Sequence, residues 1–194
     1  MIEIYTQNLD GTWFAIALSQ QQVVSSSFSP TQETTLKNIL SNLPFNTPFQ
    51  VFHEPSTPAK HALQALKAIC EGQETDINLP LATDHLPPYT KKVHKATSAI
   101  PIGYVTSYGA IAKAVGGGPR AVGNIMAGNP FAPIVPCHRV VKSDFTLGGY
   151  GGGLRVKVEL LRREQRGFAD ASEVQVDGRP LALFPVEYVL RNLG

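Results

Sequence analysis

Short apolar blocks alternate with polar breaks over the first thirty residues. "MIEIYTQ" (1–7), "WFAIALS" (13–19) and "VVSSSF" (23–28) are rich in β-branched and aromatic residues. "LDGT" and "QQQ" separate them, which predicts three strands joined by tight turns. The period then lengthens. "TQETTLKNIL" (31–40) has spaced apolar residues behind a Thr with a Glu shortly after it, which predicts a helix. "PFQVFH" (48–53) predicts a further strand. In "TPAKHALQALKAIC" (57–70) a proline stands at a first helical position, and Ala62, Leu63, Leu66 and Ile69 recur at helical spacing. "DINLPLA" (76–82) reads as extended, and the proline-rich "ATDHLPPYT" (82–90) as a linker. The expected division is an N-terminal domain over 1–85 and a C-terminal domain over 86–194.

The second half has a different grain. "YTKKVHKATSAI" (89–100) reads as helix and "PIGYVTSYG" (101–109) as an extended or turning stretch. "SYGAIAKAVG" (107–116) and "RAVGNIMAG" (120–128) are two short helices joined by the tight turn "GGGP". "NPFAPIVPCHRV" (129–140) is punctuated by proline and cannot be long regular structure. "LGGYGGG" (147–153) is a glycine loop, and "LRVKVELLRREQRG" (154–167) a last helix. The tail, 168–194, has a strand-like apolar part and a short amphipathic end, with no role legible.

Charge separates the halves. The chain's net charge is only +2, but residues 89–167 hold twelve Lys and Arg against three acids, a local +9. The remainder carries five bases and twelve acids, a local −7. A polyanion is attracted to one part of this molecule and not to the other, which favours nucleic acid over a set of solvated helix faces. The helix pair reads as a helix-turn-helix. Arg120 opens its second helix, followed by the small Ala121, Val122, Gly123 and Ala127. A major-groove reader normally offers Arg, Asn or Gln to base edges. Small side chains instead permit close approach, either to another helix in the core or to a narrow minor groove.

No apolar run reaches the roughly 18 residues of a membrane helix. The first residues show no basic segment followed by an apolar one, so a reducing, cytoplasmic compartment is expected. Two cysteines, Cys70 and Cys137, are too few for a disulfide framework or an all-cysteine zinc site. Cys70 reads as a buried helix residue. Cys137 lies in "PCHRV", between a proline and a histidine. Taken alone, that thiol fits a nucleophile, half of a metal site, a redox sensor or a structural cysteine.

At "RAVGNIMAGNPFAPIVPCHRVV" the chain resembles the O6-alkylguanine-DNA alkyltransferases, a family of direct-reversal repair proteins. "PCHRV" preceded by "RAVG" and "GNP" carries the resemblance, with "VTSYGAIA" before the helix pair, "GGYGGG" after the cysteine, and Glu164. It covers about Tyr89 to Gly167. It implies an α+β fold: an N-terminal ribonuclease H-like α/β domain, then a C-terminal α-helical domain with the helix-turn-helix. It implies a single-turnover methyltransferase that flips the damaged base out of duplex DNA. The alkyl group of O6-alkylguanine, or of O4-alkylthymine, passes to the protein's own cysteine in one irreversible SN2 step. No cofactor is implied, and the partner is double-stranded DNA bound by a monomer, with no membrane.

The chemistry distributes itself over the motif residues. A thiolate is the soft nucleophile suited to a saturated carbon, yet a free thiol with a pKa of about 8.5 is only a few per cent ionised at neutral pH. Cys137 is the acceptor, and the resemblance implies that His138 reaches it through a water, with Glu164 orienting the imidazole. The reactive atom lies inside the stack, so the base must be flipped out. By resemblance Arg120 fills the gap, and Tyr108 rotates the neighbouring phosphate and donates a proton or hydrogen bond to guanine N3. The carbonyls of Cys137 and Val140 accept from the exocyclic amine, the amides of Tyr150 and Gly151 address O6, and Asn129 braces the loop. Pro133 and Pro136 shape the pocket wall.

Three features depart from the family pattern. "GGGP" is short, Gly151 stands where some members have serine, and the tail beyond Gly167 is long. The N-terminal half lacks the Cys/His cluster that some members use for zinc, so no metal is expected. Two other readings use the same residues. A cysteine protease explains neither the helix pair nor the +9 charge. A non-catalytic helix-turn-helix or damage-sensing module binds DNA without covalent change.

Overall fold

A computed structural model describes residues 1–75 and 80–193, in two compact units. The first comprises Met1–Cys70, Glu74–His85 and Pro130–Ile134; the second comprises Glu71–Gln73, Leu86–Asn129 and Val135–Gly194. Most of the extended segment read in "DINLPLA" falls on residues 76–79, outside the described residues. Among the described residues no helix is long and apolar enough to cross a membrane.

In the first unit, β1 (Ile2–Leu9), β2 (Thr12–Ser19) and β3 (Gln22–Ser29) form an antiparallel meander. Its second turn places two non-glycine residues, Gln20 and Gln21, at φ 49° and 62°, as a two-residue hairpin of matching twist demands. α1 (Gln32–Ser41) follows, capped by the Thr31 side chain, which accepts from the Thr34 amide. The chain then lays β4 (Phe49–Phe52) parallel to β1, giving the order β3-β2-β1-β4, and ends this stretch with α2 (Thr57–Cys70). Ile2, Ile4, Ala15, Ala17, Val24 and Ile39 make one core cluster. β3 also buries three serines. Two are satisfied by backbone carbonyls: Ser25 Oγ donates to Pro130 (3.0 Å) and Ser26 Oγ to Ala132 (2.9 Å).

The second unit contains α3 (Pro88–Ser98), β5 (Tyr104–Ser107), α4 (Tyr108–Val115) and α5 (Pro119–Ala127). A single 3-10 turn, Cys137–Arg139, runs directly into β6 (Val140–Val141), and α6 (Leu154–Arg163) follows. The tail builds β7 (Ser172–Val176), β8 (Arg179–Pro185) and α7 (Val186–Arg191). This unit is therefore not purely helical, as expected from the resemblance, but holds a sheet of order β6-β5-β8-β7. The reason is visible in the tail: Leu181, Leu183 and Pro185 are buried with period two, and β8 pairs antiparallel with β5. α6 also stops at Arg163, four residues short of the expected end at Gly167. The amides of Arg166 and Gly167 donate to Glu187 Oε1 instead (3.2 and 2.7 Å).

Sheet and helices converge on one place. β5 ends where α4 begins, so Ser107 closes the strand and caps the helix, accepting from the Ala110 amide (3.0 Å) and fixing Tyr108 at the first helical position. β6 pairs parallel with β5, Thr106 against Val140, which sets the Cys137–Arg139 turn beside it. The α4–α5 turn is pinned from α3: Tyr89 Oη donates to the Gly116 carbonyl (2.8 Å). Gly117 has φ 87°, and a Cβ there would meet Tyr89 Oη at 2.4 Å. Gly117→Ala is therefore expected to destabilise the protein by about 1–3 kcal/mol through strain and a displaced Tyr89. Thermal melting checks this; an unchanged Tm would show that the turn does not hold the helix pair.

Candidate active site

Cys137 lies in the 3-10 turn with 5% of its surface exposed. It borders a cavity of about 550 Å³, whose wall also includes Tyr108, Arg120, Lys142, Tyr150 and Gly151. Burial pushes the thiol up; a hydrogen bond from Asn129 and the charge of Lys157 oppose this without cancelling it. The resting thiol is thus protonated. Asn129 also donates from Nδ2 to the Val135 carbonyl (2.9 Å), bridging the two ends of the loop that delivers the cysteine.

Behind the thiol sits a buried ion cluster. Glu164, the C-cap of α6, is 1% exposed. Arg139 holds it bidentately, Nε to Oε2 and Nη2 to Oε1, both at 2.9 Å, and sends Nη1 to the Ile100 carbonyl (2.6 Å). His138, fully buried, lies with Nε2 2.7 Å from Glu164 Oε1. Burial alone would raise the Glu164 carboxyl; His138 and the Arg139 guanidinium overcome it and hold the group at about 2. Burial pushes His138 down, with Glu164 pulling the other way, so the imidazole is neutral in the resting protein. A carboxylate only accepts, so the proton belongs on Nε2 and the lone pair on Nδ1. That Nδ1 is buried and has no hydrogen-bond partner among the described residues.

Lys157 completes the site and was not foreseen from the sequence. It is fully buried, and Nζ donates to the carbonyls of Val140 (2.6 Å), Leu147 (2.5 Å) and Gly149 (3.2 Å). Burial lowers it to about 8, with Cys137 opposing. It joins the strand after the cysteine to the glycine loop and sets a positive charge near the thiol. A signal existed: residues 157, 160, 161 and 164 form the inward stripe of α6, and two of the four are charged. Tyr108 Oη donates weakly to the Gly149 carbonyl (3.4 Å), and burial first, then Cys137, raises its hydroxyl. At Gly148, φ 66°, a Cβ would meet Tyr108 Oη at 2.8 Å, so only glycine leaves the tyrosine in place.

The expected residues fall into two groups. Cys137, Tyr108, Arg120, Gly123, Ala127, Tyr150 and Gly151 all border the cavity. Asn129 hydrogen-bonds the thiol, while His138, the next residue, turns to Glu164. Val122 is not a surface residue: it is fully buried, one turn before the buried Met126, because the core face of α5 takes every fourth position. Ala121 is exposed beside Arg120. Pro136 is buried at the start of the 3-10 turn. Val140 is buried, and its carbonyl already accepts from Lys157. Pro133 belongs to the first unit and is not among the residues of the cavity wall. No group of three or more metal-ligating side chains occurs among the described residues.

Three buried groups set the response to acid: His94, Glu164 and His138, which burial also pushes down. Burial lowers His94, on α3, from 6.5 to about 4. Between those values the unfolded chain binds a proton that the fold refuses, so stability falls as pH falls. Glu164 is held at about 2 against an ordinary 4.5, so its contribution is present above 4.5 and lost as pH falls towards 2. These losses, that of His138 included, have the same sign, at about 1.4 kcal/mol for each tenfold difference in proton affinity between the folded and unfolded chain. Melting temperature is expected to drop in two successive acid windows, and Glu164→Gln to weaken the pH dependence of the lower one. A melting profile flat from neutrality to pH 3 would contradict both assignments.

Residues 88–166 match the family model of the 6-O-methylguanine DNA methyltransferase, DNA binding domain. A methylated-DNA–protein-cysteine methyltransferase of Pyrobaculum aerophilum is 60% identical over 65 residues, 34% of this chain and 44% of that protein. A DNA base-flipping protein of Thermus thermophilus is 37% identical over 102 residues, 52% of this chain and 69% of that one. The chain spans between 44% and 64% of the length of three curated methyltransferase relatives. A crystal structure of a variant of the Mycobacterium tuberculosis O6-methylguanine methyltransferase is 30% identical with TM-score 0.64, covering 88% of this chain and 97% of that one. With the family model, the relatives and the solved structures in agreement, the chain belongs to the O6-alkylguanine-DNA alkyltransferase family, the methylated-DNA–protein-cysteine methyltransferases.

Proposed function

We propose that the protein repairs duplex DNA by taking the alkyl group of O6-alkylguanine, or of O4-alkylthymine, onto Cys137 in one irreversible step. The observation that carries this reading is the placement of the Cys137 thiol at a cavity of about 550 Å³, with Tyr108 and Arg120 on the same wall. That volume accommodates a single extrahelical base. The basic character of residues 89–167 supports a polyanionic partner. α5 approaches the minor groove through Ala121, Gly123 and Ala127. Arg120 enters the stack in place of the flipped base.

The step balances within the site. The thiol proton passes through a water to His138 Nδ1, and the imidazolium that forms is stabilised by Glu164, whose charge Arg139 secures. The thiolate sulfur attacks the alkyl carbon, the C–S bond forms, and the C–O6 bond breaks with its electron pair left on guanine. Tyr108, whose raised hydroxyl keeps its proton, donates towards N3, and the amides of Tyr150 and Gly151 address O6. The carbonyls of Cys137 and Val140 take the exocyclic amine; Val140 uses the lone pair that Lys157 leaves over. A thioether to carbon has no route back to the thiol, so each molecule acts once and needs no cofactor. The β3-β2-β1-β4 sheet of the first unit supports a ribonuclease H-like domain. Two free thiols suit a reducing, cytoplasmic compartment, and the working form is a monomer.

The base-flipping relative favours a second reading, in which the chain extrudes a damaged base and signals it without transfer. Intact mass after mixing with a short duplex holding one O6-methylguanine separates the two. Repair predicts a gain of one methyl per protein, absent in Cys137→Ser and kept in Cys70→Ser. Tight binding with no mass gain would overturn transfer and leave the flipping reading.

A further inference from the structure

The loop between β6 and α6 forms one side of the cavity through Lys142, Gly148, Gly149, Tyr150 and Gly151. It has little regular structure of its own, so something must hold it. Lys157 holds its far half through the Leu147 and Gly149 carbonyls. Its near half is held by the tail. Phe145, in a tight turn at φ 61°, sits edge-on against Phe184 (centroids 5.1 Å, 70°) and Tyr188 (5.5 Å, 89°). Around this pair lie Val186, Val189 and Leu190 of the tail, packed on Val105, Val141 and Leu161. Asn192 Nδ2 adds a bond to the Asp144 carbonyl (3.2 Å), and Tyr188 Oη is itself tied to the Ala169 carbonyl (2.9 Å).

We infer that the C-terminal segment is the anchor of the base pocket, and that Phe184 and Tyr188 are positioning residues that hold the cavity-wall loop through Phe145. Edge-to-face pairs of this kind contribute beyond their buried area, and a flexible loop held at one end only loses register at the other. The amides of Tyr150 and Gly151 lie a few residues along the same loop from this socket. The inference rests on the proposed transfer only for its kinetic readout.

The test compares Tyr188→Ala with Tyr188→Phe, which keeps the ring and loses only the bond to Ala169. Single-turnover transfer from an O6-methylguanine duplex is followed at increasing protein concentration, well below each variant's Tm. This separates the half-saturating concentration from the maximal rate. Backbone amide exchange of residues 147–151 is measured in the same proteins without DNA. The expected result for Tyr188→Ala is a maximal rate down roughly tenfold, half-saturation within twofold of wild type, and faster exchange in 147–151. Tyr188→Phe is expected to behave as wild type in all three. Wild-type rate and exchange in Tyr188→Ala would overturn the anchor, as would a Tyr188→Phe as impaired as the alanine variant. If Tyr188→Ala fails to fold, Asn192→Ala and Phe145→Leu carry the same exchange comparison, and unchanged exchange in both would overturn it. Wild-type protein that transfers nothing sinks the repair reading, while the exchange comparison still decides the anchor.

Discussion

The site depends on one buried carboxylate. Glu164 sits almost without exposure at the end of α6, where an ionised group survives only if its partners replace water. Arg139 supplies a two-point fork and His138 the third bond. The carboxylate in turn dictates the state of the histidine. It can only accept, so His138 is turned with Nε2–H towards it and a lone pair left on Nδ1. Remove the carboxylate and both the tautomer and the orientation lose their cause. Arg139, a partly buried cation, then keeps only the Ile100 carbonyl as a partner.

The same economy of charge governs the thiol. Burial favours the neutral form of Cys137, the less reactive state of a thiol. The charge of Lys157 favours the thiolate, partly offsetting the burial of Cys137, and its three carbonyl partners make its own burial tolerable. Those carbonyls belong to β6 and the glycine loop, so the residue that tunes the thiol also shapes the wall opposite it. The arrangement leaves Cys137 protonated at rest. In the proposed reaction it ionises only once a base fills the cavity and His138 takes the proton.

The sequence made the four strands and two helices of the first unit and the helix pair legible, because each has a clean apolar period and a turn or cap at its ends. The motif singled out Cys137, His138, Arg120 and Tyr108, and Cys137, Arg120 and Tyr108 border one cavity. Val122 misled because a small apolar residue beside Arg120 looks like surface until the helix is turned, when it falls four before Met126. Arg139 was visible within "PCHRV", yet its fork onto Glu164 spans 25 residues, and no local pattern shows such a bond. Lys157 was hidden because a lysine is assumed to face solvent; the charged inward stripe of α6 is the clue that spacing held. The tail was the least legible part. Its strand pairs with β5 and its aromatics seat Phe145, and neither partner lies near it in sequence.

The central claim is that His138 rests as a neutral base with its lone pair on Nδ1. Nitrogen-15 NMR of histidine-labelled protein reads this directly. The account predicts that, at neutral pH, His138 carries one proton, on Nε2, and that this state persists as pH falls below 6.5, the ordinary histidine value. An imidazolium at neutral pH, or a single proton on Nδ1, would contradict it, since neither form has a nitrogen free to take the thiol's proton while Glu164 holds the other.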